Sequence, residues 1–377
     1  MEAVKDDWRG GAEAVLNLGT DSTISIGYHS LFGPHDDLLL LEADDHLLSN
    51  ILHHRVTMRG QPDEEAVLCT DSKTYAIKFV GTSNSMLLVP PGDLVPGEGS
   101  PTVAASIVKV APGNMELVEV APRLDKLKSL LSERPYVPDN EEEGVQSEAG
   151  LYSWEDLVEC VQASDGELMD ELRALSAIEI HGHWRIVDER VMDEILNVLI
   201  HNSVLFEWAL DSLKEDEVIT ALEADGFSRI LASHCLGMYA RRVDENIWGV
   251  DEKRVCLHFA LKALKGGKMK LEQFMDKWAR SVPSGMQVEL EMLEGEVLLE
   301  RVGVETWIRA FSASSLPSIP AARFAALFKE RPKWEWKDLQ PYIRDLHVPG
   351  ISLEGLLIKY TRKSQPNPDS EPIFSSR

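Results

Sequence analysis

The chain has 377 residues, 44% of them hydrophobic, and a formal net charge of −25 at pH 7. This length predicts two to four domains, and this charge excludes a protein that coats nucleic acid without specificity. No run of 18 apolar residues occurs, which excludes a membrane-spanning helix. The four cysteines lie 91, 75 and 21 residues apart, a spacing that fits neither a zinc site nor a small disulfide scaffold and favours a reducing compartment.

The first predicted elements are two short strands and a helix. Thr23–Tyr28 and Leu38–Leu41 are predicted strands, and the second is apolar throughout, which predicts burial on both sides or at a pairing edge. Asp44–His54 is predicted to be a short helix. Asp44 or Asp45 can cap its start, and its leucines and isoleucine recur on one face.

The most regularly patterned stretch runs from Arg59 to Pro91, RGQPDEEAVLCTDSKTYAIKFVGTSNSMLLVPP. It holds three apolar runs, Ala66–Thr70, Thr74–Val80 and Ser85–Val89, and the middle run alternates with the period of two that a half-buried strand needs. The gaps TDSK and TSN have the length and composition of hairpin turns, so the three runs predict an antiparallel meander. No nucleophile, metal spacing or phosphate-binding loop lies inside the stretch, which predicts backbone pairing rather than chemistry.

Two more strand-like runs follow, Thr102–Val110 and Met115–Val120, separated by APGN. About seven short strands and one helix predict a small antiparallel β-barrel over residues 1–120. Its strand edges are the predicted partner-binding site. The residues of that site are Thr74, Tyr75, Ile77, Phe79, Val80, Met86, Leu87 and Leu88. The alternative is that these edges pair internally and that the barrel is complete.

Beyond Pro122 the hydrophobic period changes from two to 3.6, which marks a domain boundary. An internal repeat then appears, with LLSERP at 130–135 matching LFKERP at 327–332, and WEDL at 154–157 matching WKDL at 336–339. The first copy has 15 extra residues between its proline and its tryptophan. They are accounted for by residues 136–150, YVPDNEEEGVQSEAG, which are predicted to be a disordered acidic insertion.

The repeat unit is predicted to be three helices followed by a short aromatic hairpin, the element order of a winged helix. Trp184, Trp248 and Trp307 lie in three of these hairpins, and we expect them to fill the cores of the repeats rather than to stack on bases. The sequence therefore predicts an α+β multidomain protein in which a tandem array of winged helices follows the barrel. The four predicted winged helices are residues 122–190, 191–253, 254–318 and 319–377.

The last repeat is basic, with ten Lys and Arg against seven Asp and Glu from Arg323 to Arg377. Basic side chains on the third helix and the hairpin are where a winged helix meets phosphates. The predicted DNA-binding residues are Lys333, Lys337, Lys359, Arg362, Lys363 and Arg377. The alternative is a solvated face near a helix C-terminus, where cations are favourable in any case. A second, weaker candidate consists of Arg241, Arg242, Lys262, Lys265, Lys268 and Lys270.

Motifs of catalysis and cofactor binding are missing from the sequence. GGKMK at Gly266 lacks the upstream glycine and the hydroxyl of a phosphate-binding loop, and no G-x-S-x-G, H-E-x-x-H or Cys-x-x-Cys occurs. His181 and His183 share one face of a hairpin strand, but no third metal ligand stands at a recognisable spacing. We therefore expect no enzymatic activity and no cofactor. A hydrolase site on the barrel is the alternative that remains open.

Three stretches, RGQPDEEAVLCTDSKTYAIKFVGTSNSMLL, KERPKWEWKDLQPYIRDL and LLIKYTRK, resemble the Dcc-type sister chromatid cohesion proteins, and the resemblance covers essentially the whole chain. It implies a non-ATPase subunit of the cohesion-specific clamp loader, the alternative replication factor C complex. It further implies that the barrel completes a composite barrel with a small partner subunit and the tail of the large subunit. Tandem winged helices, usually three, and delivery of the complex to DNA polymerase epsilon at the replication fork are implied as well.

These observations lead to one main hypothesis: a nuclear, non-catalytic subunit that supports DNA replication and sister chromatid cohesion. It would assemble through its barrel and contact DNA and the leading-strand polymerase through winged helices. The DNA contact would be weak and independent of sequence, and we expect neither a homo-oligomer nor membrane binding. The alternative hypothesis is a tandem winged-helix scaffold, of the kind found in membrane trafficking or ubiquitin ligases, without DNA binding.

Overall fold

A computed structural model describes residues 23–90, 95–96, 102–138, 149–365, 367 and 370–377 of the chain. The chain divides into two compact units: unit one is Met1–Arg55 with Tyr75–Val118, and unit two is Val56–Thr74 with Glu119–Arg377. The segment 56–74, which the sequence places in the N-terminal barrel, therefore groups with the helical part of the chain. Residues 139–148, most of the predicted insertion, lie outside the described residues.

The N-terminal part contains short strands and helix α1 (Asp45–His53). The strands are β1 (Thr23–Tyr28), β2 (Leu41–Glu42), β3 (Thr57–Arg59), β4 (Val67–Cys69), β5 (Thr74–Leu88), β6 (Val95–Pro96), β7 (Thr102–Ile107) and β8 (Lys109–Val120). The predictions of β1 and α1 are confirmed. Asp44 caps α1, because its carboxylate accepts a hydrogen bond from the amide of Leu47 at 2.7 Å.

The prediction of a strand at Leu38–Leu41, buried on both sides or at a pairing edge, is wrong for residues 38–40, which form no strand. Leu38, Leu39 and Leu41 are exposed, and strand β2 begins only at Leu41. The ammonium group of Lys109 donates a hydrogen bond to the carbonyl of Leu38 at 2.8 Å. The carbonyl of Leu38 therefore bonds to a side chain, and the stretch first bonds to a neighbouring strand at Leu40, whose carbonyl accepts from the amide of Met115 in β8 at 2.7 Å.

The sequence predicts purely antiparallel pairing in the N-terminal domain, but unit one also contains parallel pairs. Strand β1 pairs in parallel with β7, with Thr23 opposite Thr102, and β2 pairs in parallel with β8, with Leu41 opposite Met115. Strands β6 and β7 are antiparallel, with Val95 opposite Ala104. Parallel partners need a long crossover, and β1 and β7 are far apart in the chain, so hairpin signals in the sequence cannot reveal them. The described strands of unit one belong to two sheets.

Two of the predicted turns are absent, because the chain continues through them as strand. Strand β5 runs without a break from Thr74 to Leu88, although TSN was predicted to be a hairpin turn. No residue from 81 to 84 has the positive φ that a two-residue hairpin turn needs. Likewise, APGN lies inside β8. There, a Cβ atom on Gly113 would lie 2.2 Å from the carbonyl oxygen of Val80, so this glycine permits the close approach of two strands.

Unit two is mainly helical, with eleven α-helices among the described residues. They are α2 (Asp125–Glu133), α3 (Trp154–Cys160), α4 (Asp165–Ala174), α5 (Glu189–Leu205), α6 (Glu215–Ala224), α7 (Arg229–Tyr239), α8 (Glu252–Leu264), α9 (Leu271–Ser281), α10 (Pro320–Glu330), α11 (Trp336–Leu339) and α12 (Leu353–Tyr360). The tryptophans of WEDL and WKDL each begin a helix, as the sequence repeat predicts.

The helices form four groups, and in each group three helices are followed by a hairpin. The groups are α2–α4, α5–α7, α8 and α9 with a 3-10 helix, and α10–α12. The strands of this part are β9 (Ile178–Ile180), β10 (His183–Arg185), β11 (Leu213–Lys214), β12 (Ala240–Asp244), β13 (Ile247–Val250), β14 (Met269–Lys270), β15 (Val297–Val302), β16 (Glu305–Ala310), β17 (Lys333–Glu335), β18 (Thr361–Ser364) and β19 (Ile373–Ser376). In the third group a 3-10 helix, Leu290–Leu293, stands where the third helix is expected. Each of the last three groups adds a short strand, so its hairpin becomes a three-stranded sheet, β11-β13-β12, β14-β16-β15 or β17-β19-β18.

The hairpin β3–β4 is fixed to the start of α4 by buried polar groups. The guanidinium group of Arg59 is buried and donates hydrogen bonds to the carbonyl of Ala163 and to the carboxylate of Asp165. The hydroxyl group of Thr74 donates to the carboxylate of Glu167 at 2.6 Å. Because buried polar groups need partners, these contacts explain why segment 56–74 belongs to unit two.

Three apolar cores fill unit two. One lies under α2 and α4 around Leu127 and Leu168, and another lies in the last group around Leu327 and Trp334. The largest core extends from Tyr136 to Ile308 and is shared by the second and third groups of helices.

Tyr136 belongs to the fold and not to an insertion. Its side chain is buried, its amide donates to the carbonyl of Ile186 at 2.8 Å, and the guanidinium group of Arg185 lies 5.4 Å from its ring. The predicted insertion therefore cannot begin at residue 136. The predicted start of the insertion is wrong because residues 136–138 directly precede an acidic run, and the backbone contacts of Tyr136 are with residues about 50 positions away.

Candidate assembly and nucleic-acid surfaces

The predicted partner-binding residues differ widely in exposure. Phe79, Val80 and Leu87 are exposed, whereas Ile77, Met86 and Leu88 are half-buried. Thr74 and Tyr75 are buried, and Thr74 belongs to unit two. The structure therefore leaves part of β5 as apolar surface, and the first two residues of the strand do not contribute to it.

A larger apolar surface lies in unit one outside the predicted partner-binding residues. We define the N-terminal apolar surface as Ile26, Tyr28, Leu31, Phe32, Leu38 and Leu39, all of which are exposed. Tyr28 is 76% exposed and Leu39 is 65% exposed, although both are large. Burying one such side chain stabilises a protein by about 1.5–3 kcal/mol. Single exposed leucines are common on protein surfaces, whereas six large apolar side chains exposed on one short segment are typical of an interaction site.

The loop that carries this surface is held in place by hydrogen bonds to its backbone groups. The ammonium group of Lys109, itself buried, donates to the carbonyls of His35 at 2.7 Å and of Leu38 at 2.8 Å. The amide of Gly33 donates to the carbonyl of Val108 at 3.1 Å. The apolar side chains are thus presented from an anchored loop, which lowers the entropy that a partner must remove on binding.

Strand β1 forms one edge of the same region. Its only strand partner among the described residues is β7, so within this part of the chain one row of its backbone donors and acceptors has no strand to pair with. An open edge beside exposed apolar side chains can accept a strand and can bury side chains. The sequence signal for it was the apolar alternation in TISIGY, which identifies a strand but does not tell which residues stay exposed.

In the last group of helices, two of the predicted DNA-binding residues lie side by side. Lys333 of β17 and Arg362 of β18 are both opposite Ser375 of the central strand β19. Residues directly opposite each other share one face of a sheet, and Trp334 and Phe374 in the next row are buried. Lys333 and Arg362 therefore lie on the solvent face of this sheet, about two strand spacings apart.

The six predicted DNA-binding residues fall into two sets. Lys337 pairs with Glu335 at 2.9 Å and Glu371 at 3.7 Å, a pairing that raises the pKa of Lys337 and lowers that of Glu335. Arg377 donates to the carbonyl of Ile358 at 2.7 Å. Lys333, Lys359, Arg362 and Lys363 form no ion pair with any described residue. This second set keeps its charge available for phosphates.

The second, weaker basic candidate is neutralised by its own neighbours. Every one of its six members pairs with a carboxylate: Arg241 with Asp251 (3.2 Å), Arg242 with Glu215 (3.4 Å), Lys262 with Asp193 (2.8 Å), Lys265 with Glu189 (3.0 Å), Lys268 with Glu300 (2.5 Å) and Lys270 with Glu305 (2.5 Å). Bound phosphates would have to compete with these carboxylates, so the last group is the better candidate surface.

The described residues contain no group of three or more His, Cys, Asp or Glu that could hold a metal ion. The thiols of Cys235 and Cys256 are buried, which raises their pKa values to about 12 and about 11 and keeps them protonated. Within the same residues, none of the helices has the length and apolar character needed to cross a membrane. The two surfaces above therefore remain the candidate sites.

Comparison with known proteins gives a consistent result. The sequence model of one family, described as "Sister chromatid cohesion protein Dcc1", matches residues 38–343. Three vertebrate proteins named "Sister chromatid cohesion protein DCC1" are similar to the chain. The protein of Danio rerio is 37% identical over 90% of this chain and 89% of its own length. Those of Xenopus laevis and Homo sapiens are 34% and 32% identical, over 90% of this chain and 89% and 88% of their own lengths.

Proposed function

The chain belongs to the Dcc1 family of sister chromatid cohesion proteins, and from this premise we propose that it is a non-catalytic subunit of the cohesion-specific clamp loader. In this role it supports sister chromatid cohesion and DNA replication in the nucleus. ATP hydrolysis belongs to other subunits, in keeping with the lack of a phosphate-binding motif in the sequence.

Assembly takes place through unit one. The observation that carries this proposal is the N-terminal apolar surface beside the open edge of β1. The proposed partners are the small barrel subunit and the tail of the large subunit, which complete a composite barrel with the strands of unit one. An added strand satisfies the backbone groups of β1, and its side chains cover the exposed leucines and aromatic rings.

Unit two serves as an arm of four winged helices. The recurring order of three helix positions and a hairpin supports this assignment, and so do the three-stranded sheets of the last three groups. The last winged helix contacts DNA through Lys333, Lys359, Arg362 and Lys363, whose charges no described carboxylate neutralises. The arm also contributes to the contact with DNA polymerase epsilon.

The assembly proposal can be tested by co-expression of the full chain with the large and the small clamp-loader subunits. In the double variant Tyr28→Asp/Leu39→Asp, two exposed apolar side chains become charged. We expect the complex to form with the parent chain, and its dissociation constant to rise about 100-fold or more in the variant, since two apolar contacts of about 1.5–3 kcal/mol each are lost.

The control is Val304→Asp, the same kind of change at a fully exposed valine of unit two. It should leave assembly and melting temperature unchanged. Assembly of the double variant with the affinity of the parent chain would contradict the proposal.

A further inference from the structure

The end of helix α5 carries a second exposed apolar feature, far along the chain from unit one. Val204, Leu205 and Phe206 are consecutive and are 75%, 62% and 52% exposed. The apolar residues of an amphipathic helix normally lie on the one face that packs against the core. Three consecutive exposed apolar residues at a helix end are therefore unusual. We call this ridge, together with Trp208, the α5 end.

The backbone fixes the shape of the α5 end. Glu207 has a φ of +54°, a left-handed conformation usually adopted there by glycine. The amide of Phe206 donates to the carbonyl of Asn202 at 2.9 Å, and the amide of Trp208 donates to that of Ser203 at 2.8 Å. These bonds close the helix and bring the rings of Phe206 and Trp208 into a stack with centroids 5.2 Å apart.

An open groove lies beside the two rings. Its volume is about 530 Å³, and Phe206 and Trp208 form one of its walls. The other wall is a face of α6 with the small residues Thr220, Ala221 and Ala224. Small side chains on one wall and aromatic rings on the other leave room for one or two bulky apolar side chains.

The surroundings of the groove are strongly acidic. Residues 207–225 contain seven Asp and Glu and a single Lys. Asp216 and Glu217 line the groove itself. Part of this charge is compensated, since Lys214 pairs with Glu217 at 2.7 Å and Arg242 with Glu215 at 3.4 Å. Arg229 lies 3.9 Å from Asp216 and 3.7 Å from Glu223.

Two acidic residues next to the aromatic wall in the chain are not compensated. Glu207, between Phe206 and Trp208, and Asp211 are exposed and have no ion-pair partner among the described residues. Three acidic residues in the first turn of α6 are favourable for that helix in any case, but Glu207 and Asp211 lie outside it. A negative rim repels nucleic acid and anionic lipid, and it attracts a positively charged segment.

We propose that this groove is a docking site for a segment of a partner protein that inserts bulky apolar side chains and carries Lys or Arg on either side of them. The apolar anchors bury against Phe206, Trp208 and Ala221, and the basic flanks lie on the acidic rim. This is the helix-in-groove or short-peptide mode of recognition, in which a few anchors supply affinity and the rim supplies selectivity. The residues that line the groove all belong to unit two, and none of them belongs to the basic surface of the last winged helix.

The proposal can be tested with a phage-displayed library of random peptides of about 16 residues, selected on the full chain. Binders are counter-selected on the variant Ala224→Arg, which places a long cation in the groove. We expect enrichment of peptides with two or more bulky apolar residues flanked by Lys or Arg. The fluorescence anisotropy of one labelled, enriched peptide then gives its affinity for each variant.

Binding should weaken at least tenfold in Ala224→Arg and in Phe206→Ser. The matched control is Ala325→Arg, the same change at an exposed alanine of helix α10, and it should bind like the parent chain. Because Phe206→Ser also removes a ring stack, Ala224→Arg decides the result if Phe206→Ser proves unstable. Replacing the basic residues of the peptide by Glu should weaken binding by a similar factor.

Three results would overturn the proposal. They are no enrichment over counter-selection, enrichment of acidic peptides, and equal affinity for the parent chain and Ala224→Arg.

Discussion

At the residue scale, the buried polar groups of unit two are the most informative. Arg59 is buried, and its guanidinium group satisfies the carbonyl of Ala163 and pairs with Asp165. His234 on α7 is half-buried, and this burial lowers its pKa because it disfavours the charged imidazolium. Arg59 is stabilised by its partners, so its replacement should lower stability. His234 is kept neutral by burial, so its contribution to stability should depend on pH.

Replacing Arg59 by Leu should lower the free energy of unfolding by about 2–3 kcal/mol, because the carbonyl of Ala163 is then buried without a donor. Urea denaturation of the full chain measures the change. The control is Arg190→Leu: the Arg190 side chain is 83% exposed, and its ion pair with Asp188, at 3.4 Å, should contribute less than about 1 kcal/mol. Equal losses in both variants would contradict the role given to Arg59.

His234 should make the protein less stable in mild acid. Burial lowers its pKa from 6.5 to about 4 in the folded protein. Between these two values the unfolded chain takes up a proton and the folded chain does not, so the free energy of unfolding falls as the pH falls from 6.5 toward 4. The loss attributable to this residue is about 2–3 kcal/mol at pH 4.

This contribution can be isolated by comparing urea denaturation at pH 7 and pH 4.5 in the parent chain and in His234→Leu. The variant should lose less stability on acidification than the parent chain does. His201→Leu, at an exposed histidine of α5, should retain the loss seen in the parent chain. An identical acid-dependent loss in His234→Leu and the parent chain would refute the prediction.

At the element scale, the connection between α2 and α3 combines a fixed part with a part that is predicted to be dispensable. Tyr136 is bonded to Ile186, and the amide of Trp184 donates to the carbonyl of Tyr152 at 2.9 Å. The guanidinium group of Arg134 donates to the carbonyl of Ala149 at 3.2 Å, so the two ends of the connection lie close together. A short link can therefore replace what lies between them.

Replacing residues 139–148 by a short Gly-Ser link should leave the melting temperature within a few degrees of the parent value. A loop that is shortened by half changes the closure entropy by only about 0.6 kcal/mol. In contrast, Tyr136→Ala should lower the free energy of unfolding by about 3 kcal/mol, because it removes a buried ring. Thermal unfolding followed by circular dichroism measures both. A loss of folding in the deletion variant would mean that the alignment of the two repeats is incorrect.

At the scale of the whole molecule, charge is distributed very unevenly. The net charge is −25, yet the last 55 residues, from Arg323, are positive. The six basic side chains of the weaker candidate are paired with carboxylates, whereas Lys333, Lys359, Arg362 and Lys363 pair with no described carboxylate. Of these two basic surfaces, the one in the last group is therefore expected to meet a polyanion.

The variant Lys333→Ala/Lys359→Ala/Arg362→Ala/Lys363→Ala tests this expectation. Phosphate contacts contribute a slope of about −0.7 to −0.9 each to the logarithm of affinity against the logarithm of salt concentration. The quadruple variant should bind duplex DNA more weakly and with a slope flatter by about two to four units, and no base preference should change. Anisotropy titrations with the assembled protein at several salt concentrations measure the slope.

The control for that experiment is Lys268→Ala/Lys270→Ala, which removes two lysines that are already paired. It should leave the slope unchanged. If the assembled protein binds no DNA even at low salt, the scaffold hypothesis without DNA binding becomes the better one.

The sequence by itself determined the features that depend on near neighbours in the chain. The capped helix α1, strand β1, the two helices that begin at Trp154 and Trp336, and the family all follow from local patterns. Capping, amphipathic periods and motif spacing involve residues a few positions apart, so they are visible in the sequence.

Only the tertiary structure decided the features that join distant residues. In the tertiary structure β1 and β7 are parallel, β5 continues as a strand where the sequence predicts a turn, and Tyr28 and Leu39 are exposed. It also separated Lys333 and Arg362 from the lysines that carboxylates neutralise. The physical reason is that strand pairing, burial and ion pairing are set by contacts between residues far apart in the chain, and apolar or charged composition alone does not say which partner each residue meets.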